Sequence, residues 1–243
     1  MIDLHCHILP GEDDGSDSPD TSCRMAAQAA RSGVRRIVAT PHRGTRPDRE
    51  RGRAAHLRRA LGRMQAELDR WNIPIELLPG SEVLLSGPDG ALPDREELLT
   101  LNDTDFLLVE FYFDAPASDM DRRLSMVEQA GLTPVIAHPE RYYCVQENPA
   151  IAGAWAERGY YLQLNKDSLL GSLGEAAYLT AALLLRRKLA AVIASDAHHW
   201  RRRTADLRPL LEELDRRFPG ADPDLLLRVN PGRILRGLPP EFD

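Results

Sequence analysis

Residue types able to hold a metal ion recur in this chain at the ends of short apolar runs. His5 and His7 close the first run. His42 follows the second in Ala39-Thr40-Pro41-His42, and Glu82 follows the third in Pro79-Gly80-Ser81-Glu82. Glu110 ends the fourth in Leu108-Val109-Glu110, and His138 follows the fifth in Ile136-Ala137-His138-Pro139. Asp196 and His198 follow the last in Ala194-Ser195-Asp196-Ala197-His198. A lone histidine in such a place is more often packed or solvated than a ligand, and a lone Glu82 or Glu110 is a salt-bridge partner by default. Here the placements coincide: His-x-His on the first run and Asp-x-His after the last suit a site for more than one metal ion. Side chains alternate along a strand with period two, so His-x-His sets both imidazoles on one side and turns Cys6 to the other, as a small buried apolar residue. Imidazole and carboxylate without thiolate suit zinc, manganese or iron rather than soft-metal chemistry.

Further groups lie close to these. The acidic turn Gly11-Glu12-Asp13-Asp14-Gly15 comes shortly after His7. Runs of acids on loops are usually solvated, but here a hard carboxylate can reach another cation, Asp14 in preference to Asp13. Arg141 lies on the loop after His138, and Arg203 ends Arg201-Arg202-Arg203 beyond His198. A guanidinium fork beside a metal cluster can hold phosphate oxygens through two parallel hydrogen bonds. Arg201 and Arg202 read as members of surface salt bridges. His56, inside an arginine-rich stretch over residues 43–63 that reads as a solvated helix face, and His199, which cannot point the same way as His198, are left out of the site.

The elements that must position these groups follow from the same runs. Residues 2–5, 37–40, 75–80, 106–111, 133–137, 160–164 and 191–195 read as seven strands, apolar on both faces as in a buried parallel sheet. Helical patterns lie between or after them at 20–31, 47–71, 119–130, 150–158, 175–187 and 204–218, with Gly33, Gly131 and Gly159 at C-terminal cap positions. The alternation predicts an α/β fold, and seven strands in 243 residues favour a (β/α)7 TIM-like barrel over a doubly wound sheet. Active sites of such barrels are built at the C-terminal strand ends, which is where the candidates fall. No repeat or glycine- and serine-rich linker divides the chain, so residues 1–243 are expected to form one domain.

Bulk properties narrow the function classes. A net charge of −6 gives no reason to expect nucleic-acid binding, and it leaves room for a local basic patch around a small anion. Cys6, Cys23 and Cys144 lack the paired spacing of a disulfide framework or a zinc knuckle. The chain opens directly on Met1-Ile2-Asp3-Leu4-His5, without a charged-then-apolar signal segment. Its longest apolar stretch, residues 176–185, is too short to span a bilayer. A cytoplasmic protein without membrane insertion is expected.

At this point the motifs resemble those of bacterial polymerase-and-histidinol-phosphatase (PHP) proteins. The resemblance rests on residues 1–11 with Asp13-Asp14-Gly15, on Ala39-Thr40-Pro41-His42, Gly80-Ser81-Glu82 and Leu108-Val109-Glu110-Phe111, and on Ala137-His138-Pro139-Glu140-Arg141-Tyr142, Ser195-Asp196-Ala197-His198 and Asn230-Pro231-Gly232-Arg233-Ile234-Leu235. More narrowly, the chain is similar to the manganese-dependent tyrosine-protein phosphatases of capsule and exopolysaccharide loci. That resemblance implies the PHP fold, a distorted seven-stranded barrel, around two to three divalent cations, Mn2+ ahead of Zn, Fe, Co or Mg. His5, His7, Glu82 and Asp196 would hold the first cation. Glu82 would bridge to a second completed by Glu110 and His138, and Asp14, His42 and His198 would hold a third. Arg141 and Arg203 would match the phosphate-gripping arginines. Asp196 and His198 count with them as catalytic residues, and either His198 or a water would protonate the leaving group. The implied substrate is a phosphotyrosine protein, a bacterial tyrosine autokinase that controls capsular or exopolysaccharide synthesis.

Other branches of that superfamily carry histidine where this chain has Glu110 and Asp14, which favours the tyrosine-phosphatase branch. The cysteine-dependent route is excluded directly: it places an arginine six residues after its cysteine, and those positions here hold Glu12, Ala29 and Ala150. The rival readings are a histidinol-phosphate or other small-molecule phosphatase or phosphodiesterase, and a catalytically silent, metal-stabilised module that binds a kinase. Two departures from the family pattern, Glu12 before the paired aspartates and His199-Trp200 after His198, bear on substrate specificity.

Overall fold

The seven apolar runs all become strands, and among the described residues every strand pairing is parallel. The computed structural model describes residues 1–44, 52–86 and 92–242. In chain order the strands are β1 (Ile2–Cys6), β2 (Arg36–Ala39), β3 (His42–Arg43), β4 (Glu76–Pro79), β5 (Glu82–Leu84), β6 (Phe106–Glu110), β7 (Thr133–Ala137), β8 (Tyr161–Asn165) and β9 (Ala190–Ala194). They form two sheets, ordered β1-β2-β4 and β3-β5-β6-β7-β8-β9. The short strands β3 and β5 have no run of their own among those seven; they prolong β2 and β4 and carry the chain from one sheet to the other. The first passage crosses Pro41, which has no N–H for a ladder. The second crosses Gly80, where a Cβ would stand 2.5 Å from Val38 Cγ1, so a side chain has no room.

The sheets meet again at the ends of β1 and β9. Cys6 bridges to Ala197 in parallel. The Asp196 N–H donates to His5 O and the His7 N–H to Ala197 O, each at 2.9 Å. The buried Asp3 carboxylate accepts from Ser195 N–H at 3.0 Å and Ser195 Oγ at 2.6 Å. These contacts hold the segment with His5 and His7 beside the segment with Asp196 and His198.

The helices are α1 (Pro19–Arg31), α2 (Arg53–Arg70), α3 (Ala117–Gln129), α4 (Tyr143–Glu147), α5 (Ala150–Glu157), α6 (Lys166–Leu169), α7 (Glu175–Arg186), α8 (Arg208–Arg217) and α9 (Asn230–Ile234). Gly33, Gly131 and Gly159 take positive φ at the expected cap positions. Within the described residues α2 begins at Arg53, where Glu97 accepts from Gly52 N–H at 2.7 Å and Ala54 N–H at 3.4 Å; residues 47–51 of the expected helix lie outside those described. The helix expected from residue 204 starts instead at Arg208, because the Asp206 carboxylate accepts the Arg208 N–H at 3.0 Å and ends the preceding loop there.

Strand alternation decides where the site can lie. Ile2, Val38, Phe106, Leu108, Val135, Ala137 and Val192 form one apolar cluster with Ile234 and Leu235. Ile37, Leu107, Val109, Ile136, Leu162 and Ile193 face the helices in a second cluster with Met25, Leu57, Leu124, Trp155 and Leu184. Burial of each such side chain contributes about 1.5–3 kcal/mol. Along β6 the first face runs Phe106, Leu108, Glu110; along β8 it runs Tyr161, Gln163, Asn165. It is apolar at the strand starts and polar at the strand ends, so the packed floor and the polar mouth belong to one face. The π-helical turn Leu225–Val229 and α9 complete the floor, tied by Asn230 Nδ2 to Ala191 O at 2.8 Å. Among the described residues no helix is long and apolar enough to cross a membrane.

Candidate metal centre

Glu82 stands at the middle of the polar mouth. Its Oε2 lies 3.1 Å from His5 Nε2, 3.3 Å from His7 Nε2 and 3.1 Å from His42 Nδ1, and its Oε1 lies 3.0 Å from His138 Nε2. Asp196 Oδ1 lies 3.5 Å from His5 Nε2 and 3.4 Å from His7 Nε2. Glu110 Oε1 is 2.8 Å from His42 Nδ1, and Glu110 Oε2 is 4.0 Å from His138 Nε2. On the outer side Asp14 Oδ1 is 3.4 Å from His42 Nε2 and 3.5 Å from His198 Nε2. Donor atoms gather into three groups: His5, His7 and Asp196; His42, Glu82 and Glu110; and His7, Asp14, His42 and His198. The structure therefore brings together all nine residues singled out as ligands. It also gives His42 two faces, Nδ1 toward Glu82 and Nε2 toward Asp14.

The neighbours of the imidazoles determine which nitrogens carry lone pairs. Gln163 Nε2 donates to Leu164 O at 2.8 Å, which orients the amide and leaves Oε1 to accept from His5 Nδ1 at 2.7 Å. The Asp13 carboxylate accepts from His7 Nδ1 at 2.7 Å, and Asp196 O accepts from His198 Nδ1 at 3.0 Å. With their protons on Nδ1, neutral His5 and His7 turn unprotonated Nε2 atoms toward each other at 3.1 Å. Glu82 Oε2 and His42 Nδ1 are buried without a hydrogen-bond partner among the described residues. Lone pairs facing lone pairs repel unless a cation or a proton lies between them. Two donors each about 2.1 Å from one cation stand about 3.0 Å apart across an octahedral edge and about 3.4 Å across a tetrahedral one. The observed separations match those edges, so the residues present fit divalent cations.

Without cations, protons take their place. Burial alone would depress His5 and His7, but the carboxylates outweigh it: Glu82 and Asp196 raise His5, and Asp13, Asp196 and Glu82 raise His7 well above the ordinary imidazole value. His42 is raised by Asp14, Glu110 and Glu82 against the same burial. Hydrogen bonds from His198 and His42 hold Asp14 below the usual carboxylate range. Burial and the neighbouring His7 push His198 down. His138, Asp196 and Arg203 have positive φ of 35°, 49° and 49°, a conformation that non-glycine residues rarely adopt and that clusters at functional sites.

The adjacent aspartates divide the work. Asp13 is turned onto His7 Nδ1, the backbone N–H of His42 (3.0 Å) and that of Gly15 (2.9 Å). Gly15 packs so closely that a Cβ there would sit 2.3 Å from His7 O. Asp14 is the one that reaches His42 and His198. Both singled-out arginines face Asp196 Oδ2, Arg203 Nη2 at 2.5 Å and Arg141 Nη1 at 3.6 Å. Cys6 faces the helix-side cluster, and burial pushes its thiol well above the ordinary value, so no thiolate is offered. Cys6→Ser is expected to keep kcat within about threefold; a loss above about a hundredfold at unchanged metal content would contradict this placement.

A family model described as "Capsular polysaccharide synthesis, CpsB/CapC" matches residues 1–236. The chain belongs to the CpsB/CapC family. It is 34% identical over 236 residues to tyrosine-protein phosphatase YwqE of Bacillus subtilis, covering 97% of this chain and 92% of that one. It is 28% identical to tyrosine-protein phosphatase CpsB of Streptococcus pneumoniae, covering 97% and 98%. A crystal structure from work on YwqE and CpsB, called there unique metal-dependent tyrosine phosphatases, superposes with a TM-score of 0.87 at 33% identity. That match covers 100% of this chain and 97% of that one.

Several site residues carry no signal in the sequence of this CpsB/CapC member. Gln163 orients His5, and Asn165 Nδ2 donates to Asp196 Oδ2 at 2.6 Å. The buried Tyr142 hydroxyl donates to Ala137 O at 2.9 Å and accepts from Phe111 N–H at 3.2 Å, locking the ends of β6 and β7 together. Phe113 lies 4.3 Å from the Arg141 guanidinium and edge-on to His138 at 6.1 Å. The arginine-rich stretch is not a uniformly solvated face. Arg43 is buried with Nη1 on Glu97 O at 2.6 Å, while Arg53 and His56 hold the Glu12 carboxylate at 2.6 and 2.9 Å. Glu12, one of the two departures from the family pattern, thus fastens the acidic turn to α2.

Proposed function

We propose that this chain is a metal-dependent protein-tyrosine phosphatase whose centre takes two to three divalent cations, manganese foremost, with residues 1–243 as one phosphatase domain. The observation that carries the reading is the buried, unpartnered Glu82 Oε2 ringed by three imidazole nitrogens, with two arginines at the same mouth. In the proposed assignment His5, His7, Glu82 and Asp196 hold one cation. Glu82, Glu110 and His138 hold a second, and Asp14, His42 and His198 a third. The full-length likeness to named tyrosine phosphatases supports the phosphoryl chemistry. The two parallel sheets, joined at the ends of β1 and β9, serve as the two arcs of one distorted barrel.

Divalent cations in such a site supply an activated water at neutral pH and neutralise phosphoryl charge. The chain's own groups supply the rest. Arg141 and Arg203, both resting on Asp196, turn to hold phosphoryl oxygens, and the Phe113 ring limits where the Arg141 plane can go. His198, at the mouth and oriented through its Nδ1–H, is placed to pass a proton to the departing oxygen. A tyrosine oxygen, with a pKa near about 10, needs that proton less than an alkoxide does. The proposed partner is a tyrosine autokinase of a capsule or exopolysaccharide locus, which sets the reaction in the cytoplasm.

The decisive comparison is kcat/KM for a phosphotyrosine peptide, a phosphoserine peptide and histidinol phosphate under one metal condition. The phosphotyrosine peptide is expected to lead; a tenfold or greater lead for histidinol phosphate would move the chain to the small-molecule branch. Under the same conditions Arg141→Ala and Arg203→Ala each remove a charge-assisted contact of about 1.5–3 kcal/mol. Each is expected to lower kcat/KM by roughly tenfold to a hundredfold with the metals retained.

A further inference from the structure

We propose that the loop between His198 and Arg203 is a docking element for acidic side chains that flank the phosphotyrosine in a protein substrate. This rests on the phosphatase reading and goes beyond it. The loop is closed at its feet, since the His198 N–H donates to Arg203 O at 2.9 Å. Both feet stand in the site, His198 beside Asp14 and Arg203 on Asp196. Residues 199–202 are therefore held at the mouth.

The loop is also fastened from below. Gln28 Nε2 of α1 donates to Trp200 O at 2.7 Å. The guanidinium carbons of Arg24 and Arg201 lie 4.8 and 4.3 Å from the Trp200 ring centroid. The Arg201 N–H donates to His199 Nδ1 at 3.1 Å. What this leaves outward are Arg201 and Arg202, both exposed.

The sequence assigns these two arginines to surface salt bridges; among the described residues neither has an acidic partner. The nearby acids are already engaged, Asp20 by Arg24 at 2.7 Å and Asp17 by the hydroxyls of Ser18 (2.9 Å) and Thr21 (2.6 Å). Two guanidinium groups without an acidic partner among the described residues, one of them stacked on Trp200, stand beside Arg203 in a chain of net charge −6 and form a local positive rim where a phosphoprotein must enter. Arg141 and Arg203 are placed for the phosphate itself, so Arg201 and Arg202 are free for carboxylates elsewhere on the peptide. Exposed arginine–carboxylate contacts are individually weak but strengthen encounter, and they fade with salt. The departure His199-Trp200 supplies the contacts that brace this loop.

The test compares two phosphotyrosine peptides, one with aspartate and glutamate flanks and one with serine and alanine flanks, on the metal-loaded full chain. The neutral peptide is the internal reference. Wild type should favour the acidic peptide by about threefold to tenfold in kcat/KM at low salt, mostly through KM, and lose that preference as salt rises. R201E/R202E should abolish or invert the preference, and R201K/R202K should retain part of it. Dissociation constants for the same peptides carrying a non-hydrolysable phosphonate give a second readout that needs no turnover. Preferential binding of the acidic phosphonate without phosphotyrosine hydrolysis would overturn the phosphatase reading and uphold the docking loop. Equal affinity for the two phosphonates, or a preference unchanged in R201E/R202E, would overturn the docking loop. So would anionic-lipid vesicles binding through these arginines while the peptides are not discriminated.

Discussion

Asp196→Asn and His138→Ala are expected to lower kcat/KM for an aryl phosphate by about a thousandfold or more while leaving a folded chain. Asp196 is buried and is met by Arg203, Asn165, His5 and His7 at once. Asparagine is the informative replacement. It keeps the size of the side chain and, like aspartate, tolerates the positive φ of 49° at this position, so the backbone need not move. It removes the negative charge that would balance a cation and hold the two arginines. His138→Ala takes one nitrogen away from Glu82 Oε1, 3.0 Å distant, and leaves a buried acid short of a partner. Far-ultraviolet circular dichroism and a melting scan would report the fold, and elemental analysis the metal. Activity of either variant within tenfold of wild type would show that the assignment of ligands is mistaken.

The sequence made the candidate site legible to the extent that its chemistry is local. His-x-His and the acids at strand ends can be read because strand periodicity decides which way each one points, and Asp-x-His because it directly follows the last apolar run. Phe106, Leu108 and Glu110 lie on one face for the same reason. What could not be read depends on partners distant in the chain or on loop conformation. Gln163 and Asn165 are unremarkable amides until β8 is set beside β9 and opposite His5, which is 158 residues away from Gln163. The division of labour between Asp13 and Asp14 depends on how one tight turn packs against His7, and no periodicity governs a turn. The division into two sheets, with β3 and β5 as separate short strands, follows from Pro41 and from Gly80 packed on Val38. Both residues were visible in the sequence, but the contact that bends the chain at Gly80 was not. His56 and Arg53 looked like solvated helix residues because Glu12, their partner, lies 44 and 41 positions away.

Stripping the divalent cations is expected to abolish activity, and reloading them to release protons. In the metal-free chain His5, His7 and His42 are raised by the carboxylates around them, and Glu82, Asp196 and Asp14 are depressed. The signs are opposite for the two kinds of group. The raised histidines contribute stability that is fully present below their unfolded value of about 6.5 and is lost as pH rises through their folded values. The depressed carboxylates contribute stability present above about 4 and lost as pH falls through their folded values. Raising the pH far enough to deprotonate the cluster histidines therefore weakens the metal-free protein, because the buried carboxylates are then left facing one another. The loaded protein behaves in the opposite way: cations need neutral imidazoles, so affinity tightens as pH rises and each binding event displaces protons. Saturation at 100 times the dissociation constant adds about 2.7 kcal/mol per site. For a chain of this size that raises the melting temperature by roughly 5–10 °C per site. The gap between loaded and stripped melting curves should widen from pH 6 to pH 8. Titration calorimetry in buffers of different ionisation enthalpy should show net proton release, and elemental analysis after manganese reconstitution should find two to three equivalents. Less than one equivalent, or heats that do not depend on the buffer, would mean that the facing lone pairs around Glu82 are bridged by something other than metal.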